Sequence, residues 1–148
     1  MKRDIIINDY SNGGLKMIDI QSFSKSLKAT WVKKYLDEQN QWKWEYFFDL
    51  ELERHGGSIV LTSNLNKKDI IENLKIKNCF IKETLSIWAE VNFDDHIMSD
   101  KQFVEQLLWH NSLVKIENSP IFYQKLFDMG ITKVKHLKNA SNSFFIIS

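Results

Sequence analysis

Residues 19–36, DIQSFSKSLKATWVKKYL, decide the fold class. Ile20, Phe23, Leu27, Trp31 and Tyr35 recur every three or four positions, the spacing that lines one face of an α-helix. Asp19, just ahead of them, carries an N-cap side chain, a carboxylate that accepts from backbone N–H groups the helix leaves without partners. Ser22, Lys25, Ser26, Lys28 and Lys33 fall on the other side. The spacing therefore predicts an amphipathic helix with its apolar stripe against a core and its lysines in water. Upstream, Gly13 and Gly14 admit positive backbone angles, so a tight turn is expected there.

Downstream, the punctuation of the chain predicts further helices. Gln41 to His55, dense in Trp42, Trp44, Tyr46, Phe47, Phe48, Leu50 and Leu52, ends at Gly56 and Gly57 in C-cap position. Apolar side chains surround most of its girth, which implies burial on more than one side. Ser58 to Thr62, with Ile59, Val60 and Leu61, reads as a short extended piece. Asn66 followed by Asp69 opens a short helix through Ile70, Ile71 and Leu74, and Asn78 caps another striped by Ile81, Leu85, Trp88 and Val91. Ser99 and Gln102 form an S-x-x-Q capping box ahead of Phe103, Leu107 and Leu108. Leu113 to Ile116, then Glu117 to Pro120 as a turn, predict a hairpin or extended arm. Ile121 to Met129 reads as a last helix with Gly130 at its C-cap. The expectation is a mainly α, irregular multi-helix domain over residues 1–148 with one or two short strands or hairpins, in which Trp31, Phe47 and Trp88 are buried. The terminal run Phe144, Phe145, Ile146 and Ile147 either packs as a strand on this chain or drives self-association.

Composition bounds the function. With 148 residues and 43% hydrophobic content the chain can bury a core, which excludes a disordered tail. Aromatics at 13% mean core anchors or an adhesive surface. A net charge of +1 lacks the basic footprint of a dedicated nucleic-acid binder, so only local patches remain. Lys25, Lys28 and Lys33 form one, and Lys133, Lys135 and Lys138 the other. Each set either neutralises phosphates without regard to sequence or serves as a solvated face. The single cysteine, Cys79, allows neither an internal disulfide nor a thiolate zinc cluster, and points to an intracellular, reducing home, cytoplasmic or nuclear. The apolar run Ile5 to Ile7 is too short and too acid-interrupted for a signal peptide or a membrane span.

No arrangement of residues amounts to an active site. Asp94 and Asp95 invite comparison with the paired aspartates that hold magnesium in polymerases, but Asn92 stands where such motifs carry an aromatic residue. A solvated turn is the competing interpretation. Asp94, Asp95, His96 and Asp100 match no known metal loop, and His55, His96, His110 and His136 are far apart in sequence. Cys79 beside Phe80 sits in an apolar setting where a thiol is inert. Gly13-Gly14 and Gly56-Gly57 lack the further glycines and the lysine of a phosphate-cradling loop. No catalytic residue, metal or cofactor is expected.

Several strings together resemble one family. Gly13-Gly14-Leu15-Lys16-Met17-Ile18-Asp19 precedes Phe23 and the Lys28 to Trp31 stretch. Leu108-Trp109-His110-Asn111 follows, then Phe122, then Met129-Gly130-Ile131. In this order they are similar to the region behind the polymerase core of non-LTR (LINE-type) retrotransposon reverse transcriptases, from about Tyr10 to about Phe145. The resemblance implies a non-catalytic fragment or remnant of an RNA-directed DNA polymerase. Such a piece would support the polymerase region and contact RNA or DNA weakly through phosphates. The polymerase's catalytic aspartates belong upstream of this region, so none carries over. An autonomous helical protein-interaction module has the same composition and stands as the alternative.

Overall fold

The computed structural model describes residues 6–37, 43–96 and 99–137. Gly14 is buried in the turn before the first helix, where a Cβ would collide with the backbone of Asn8. Asp19 then caps helix α1 (Ile20–Tyr35), its carboxylate accepting from the Gln21 N–H. Helix α2 (Glu45–Leu52) runs into a 3-10 turn over Glu53–His55 and stops at Gly56, whose φ of 89° is cheap only for glycine. Helix α3 (Ile59–Thr62) follows. In α4 (Lys67–Glu72) the Asn66 side chain accepts from the Asp69 N–H, and in α5 (Cys79–Asn92) Asn78 accepts from Phe80 and Ile81. Helix α6 (Asp100–Glu105) carries the complete capping box of Ser99 and Gln102. Strands β1 (Lys115–Ile116) and β2 (Ser119–Pro120) pair antiparallel around Glu117 and Asn118, both at positive φ as a two-residue hairpin turn requires. Helix α7 (Gln124–Asp128) and a 3-10 turn over Val134–Leu137 complete the described chain. The fold is mainly α and irregular, with one short hairpin. No helix among the described residues is long and apolar enough to cross a membrane.

Two clusters form the core. In the larger, Val32 of α1, Phe48 and Leu52 of α2, Val60 and Leu61 of α3 and Ile70 of α4 meet Ile81, Leu85 and Ala89 of α5. In the smaller, Leu108, Trp109 and Val134 are buried under Phe103, Ile121, Phe122, Leu126 and Ile131. The Trp109 indole N–H donates to the Ile131 carbonyl at 2.5 Å, which ties the chain before the hairpin to the segment after α7. Between the clusters, the Phe122 ring lies so close to Gly56 that a Cβ there would sit 2.7 Å from it.

Several expectations need correction. Ser58 to Thr62 is helical rather than extended, because Val60, Leu61 and Ser63 donate back to Gly57, Ser58 and Ile59 in successive turns. Helix α7 starts at Gln124 rather than Ile121, since the Ile121 carbonyl is taken by the His110 N–H. Helix α2 buries one side only: Phe48 is 2% exposed and its neighbour Phe47 61%. Trp31 is 39% exposed rather than buried. Trp88 is part-buried, its indole N–H held by the Leu61 carbonyl at 2.8 Å. Gln41, Trp42, Lys138 and the run Phe144, Phe145, Ile146 and Ile147 lie outside the described residues.

The largest correction concerns α1. The N-terminal part of its apolar stripe does not face the core, Ile20 being 80% exposed, Phe23 52% and Leu27 48%, whereas Tyr35 at the other end packs on the larger cluster as expected. The side packed along α5 carries Val32, Ala29, Lys25 and Lys28 instead. A valine and an alanine let two helix backbones approach closely. The lysine stems cover apolar surface while their ammonium groups reach carboxylates on α5.

Candidate functional site

The two expected lysine patches are largely spent inside the molecule. Lys28 Nζ lies 2.7 Å from Glu83 and over the Phe80 ring at 5.9 Å. Lys25 reaches Glu90 at 3.2 Å, and Lys67 pairs with the same carboxylate. At the far end, Lys133 and Lys135 converge on Glu105 at 3.0 and 2.8 Å. Hydrogen bonds from these lysines, chiefly Lys67 and Lys135, hold the Glu90 and Glu105 carboxyls below the usual range. Lys33 is exposed, and no described carboxylate pairs with it. The structure thus brings no described set of candidate lysines together as a bare cationic surface.

A buried polar cluster, invisible in the sequence, joins the hairpin to α4. Asp69, 1% exposed, accepts from Lys115 Nζ at 2.8 Å, Ser112 Oγ at 2.5 Å and Asn73 Nδ2 at 3.0 Å. Ser112 Oγ accepts in turn from the Asn66 N–H, and Ser119 Oγ donates to Asn73 Oδ1. Every group is engaged by another, and the serine hydroxyl is a clasp between the Asp69 carboxylate and the Asn66 backbone N–H.

Beside it lies a cavity of about 230 Å³ lined by His55, Leu65, Asp69, Asn73, Leu74, His110, Pro120 and Phe122. His110 is buried at φ 49°, stacked on Phe122 with ring centroids 4.7 Å apart, and its Nε2–H donates to the His55 carbonyl at 2.8 Å. Burial pushes its pKa down to about 4, against the opposing hydrogen bond to His55. The His55 ring, 6.1 Å away, is also shifted down by burial. These two imidazoles stand 55 residues apart, and no local spacing links them.

The remaining candidates are surface features. Asp94, Asp95 and His96 offer ligand atoms within 4.8 Å of one another, all exposed, and Asp100 is not among them. His96 Nδ1 is 2.5 Å from Asp94, and the Asn64 side chain grips the Asp94 backbone at both N–H and C=O. Hydrogen bonds from His96, first from its backbone N–H, keep the Asp94 carboxyl low. Cys79 is exposed at the first turn of α5 rather than set in apolar surroundings. A cleft of about 440 Å³ between α2 and α7 is lined by Tyr46, Asp49, Leu50, Glu53 and Phe127 among others. Tyr35 donates to Asp49 at 2.6 Å, and burial, then that bond, raises the phenol pKa.

A further surface feature is the outward face of α1. Ile20, Phe23, Leu27 and Trp31 form one ridge, preceded by the exposed Met17 and Ile18. Trp31 is braced from beneath by Trp44 and Phe80, at centroid distances of 5.1 and 5.2 Å. Along the ridge's edge, Ser26 and Thr30 donate to the Ser22 and Ser26 carbonyls of their own helix, so covering them would strand no donor. Compared with protein-family models, curated protein sequences and solved structures, the chain gives no match to any of the three.

Proposed function

We propose that this chain is a non-catalytic helical supporting module of the kind that follows the polymerase core in LINE-type reverse transcriptases. It acts by packing against protein and contacts RNA or DNA only weakly. The observation that carries this reading is the outward ridge of α1. An apolar surface of this extent is costly in water unless something covers it. The order of the sequence motifs supplies the family, and the intramolecular pairing of Lys25, Lys28, Lys133 and Lys135 argues against a primary grip on phosphates. An intracellular location, cytoplasmic or nuclear, follows from the same reading and fits the lone exposed Cys79.

Two measurements test it. Gel-shift titrations with single-stranded and duplex RNA should give weak complexes without sequence preference that vanish as salt rises from about 50 to 200 mM. Primer extension with magnesium should be absent. A sequence-selective complex that survives high salt, or extension abolished by Asp94→Asn, would overturn the reading. The second reading, an autonomous helical interaction module, is favoured by the same lysine pairing. It predicts no association with the polymerase region of a LINE-type enzyme, whereas the first predicts such a complex.

A further inference from the structure

The spacing of the α1 ridge is palindromic. Around Leu27, Phe23 and Trp31 stand four positions away on either side, and Ile20 and Lys34 seven positions away. At 3.6 residues per turn these five positions fall within about 40° of one line along the helix. Asp19 caps the N-terminal end of the helix beside Ile20, and Lys34 stands at the C-terminal end of the line. Such a surface is complementary to itself under a two-fold axis through Leu27.

We propose that the ridge is an antiparallel self-association face, occupied by α1 of a second copy of this chain. This rests on the reading of the ridge as a protein-packing surface and names its occupant. In this register Leu27 meets its own counterpart, Phe23 packs beside Trp31 of the second copy, and Lys34 reaches the Asp19 end. The opposed helix dipoles align favourably, and the lysine charge falls beside the carboxylate.

The area is sufficient. With on the order of 200 Å² for a large apolar side chain, the exposed fractions of Ile20, Phe23, Leu27 and Trp31 come to about 440 Å² of apolar surface per copy. Two copies cover about 900 Å² of it, and with apolar atoms making up roughly 65% of such a face the whole interface comes to about 1,400 Å², within the range of stable specific interfaces. Trp31, already fixed between Trp44 and Phe80, loses little rotamer freedom on docking, as suits an interface anchor.

The test combines association with cross-linking in the full chain. Sedimentation equilibrium should show a concentration-dependent dimer, and both Phe23→Glu and Leu27→Glu should leave a monomer whose melting midpoint matches that of the parent chain diluted to monomer, since neither side chain is part of this chain's core. In a Cys79→Ser background, diamide takes two electrons from a pair of thiols as the disulfide forms. Leu27→Cys should then cross-link to itself. Ile20→Cys and Lys34→Cys should cross-link when mixed, but not when either is alone. A monomer at every concentration, a dimer indifferent to both glutamates, or one lost only on deletion of residues 142–148 would overturn the proposal. Self-linking of Ile20→Cys would mark a parallel pairing and overturn it as well. A monomer that still binds a polymerase region through the ridge would remove self-pairing and leave the broader packing role standing.

Discussion

Lowering the pH should weaken this protein through His110, in a window above the carboxylates. Its imidazole is stacked on Phe122, bonded to the His55 carbonyl and shut away from water. Among the described residues the one carboxylate lining the same cavity, Asp69, is already paired with Lys115, and the hydrogen bond to the His55 carbonyl does not offset the cost of burying an imidazolium. The folded chain resists protonation until about pH 4, whereas the unfolded chain takes up the proton near 6.5. A folded pKa depressed below the unfolded one means that the stabilisation is fully present above pH 6.5 and lost as pH falls toward 4. At about 1.4 kcal/mol per unit, the full loss is about 3 kcal/mol, and about 2 kcal/mol has gone by pH 5. The downward shift of His55 adds to it with the same sign. Urea unfolding followed by tryptophan fluorescence between pH 7.5 and 5 measures the slope directly. The control is His110→Asn, because asparagine tolerates the left-handed φ of 49° and does not titrate. That variant starts less stable, having lost the ring stack, but should show a flatter profile by about 2 kcal/mol. If His110→Asn kept the slope of the parent chain, the buried neutral imidazole would not be its source.

Phe48→Ala should cost about 3–5 kcal/mol and Phe47→Ala less than about 1 kcal/mol, because one ring lies in the core and its neighbour in water; chemical denaturation of the two reads the difference. Lys115→Met should cost about 3 kcal/mol by leaving Asp69 buried and unpaired, and adding Asp69→Asn should recover part of the loss, which a double-mutant cycle measures. Glu105→Gln releases Lys133 and Lys135 from their shared carboxylate, so RNA affinity at low salt should rise several-fold and its salt dependence steepen by about one to two phosphate contacts. Unchanged binding would show that these lysines are no latent phosphate site.

What the sequence made legible was local. The caps at Asp19, Asn66, Asn78 and Ser99 all accept the backbone hydrogen bonds expected of them, since a cap involves side chain and N–H only two or three residues apart. A turn after Ile116 was legible for the same reason, though it closes at Glu117 and Asn118, and Ser119–Pro120, expected within the turn, pairs as the second strand. Orientation was not. Periodicity shows that α1 has an apolar stripe but is silent on which side finds a neighbour, and α5 takes the side with Val32, Ala29 and two lysines. The ion pairs that disarm Lys25, Lys28, Lys133 and Lys135 reach partners between 28 and 65 residues away. Nothing in local spacing predicts them. The helical state of Ile59 to Thr62 was hidden by β-branched composition over a span too short for a period to show.

The contact between Gly56 and Phe122 carries a consequence for the order of assembly. The glycine acts as a notch at the end of α2, shaped only once the left-handed turn has formed, and the aromatic ring is the key that fits it. Among the described residues the smaller cluster has Leu108, Trp109 and Val134 fully buried, a small core whose formation should follow that of the larger one. Amide exchange should report this hierarchy. The N–H groups of Leu108 and His110, which close the smaller cluster onto Thr132 and Ile121, should open at lower free energy than those in the middle of α5. Any side chain placed at residue 56 should lower the first without touching the second, so that the protein would melt from its C-terminal part inward.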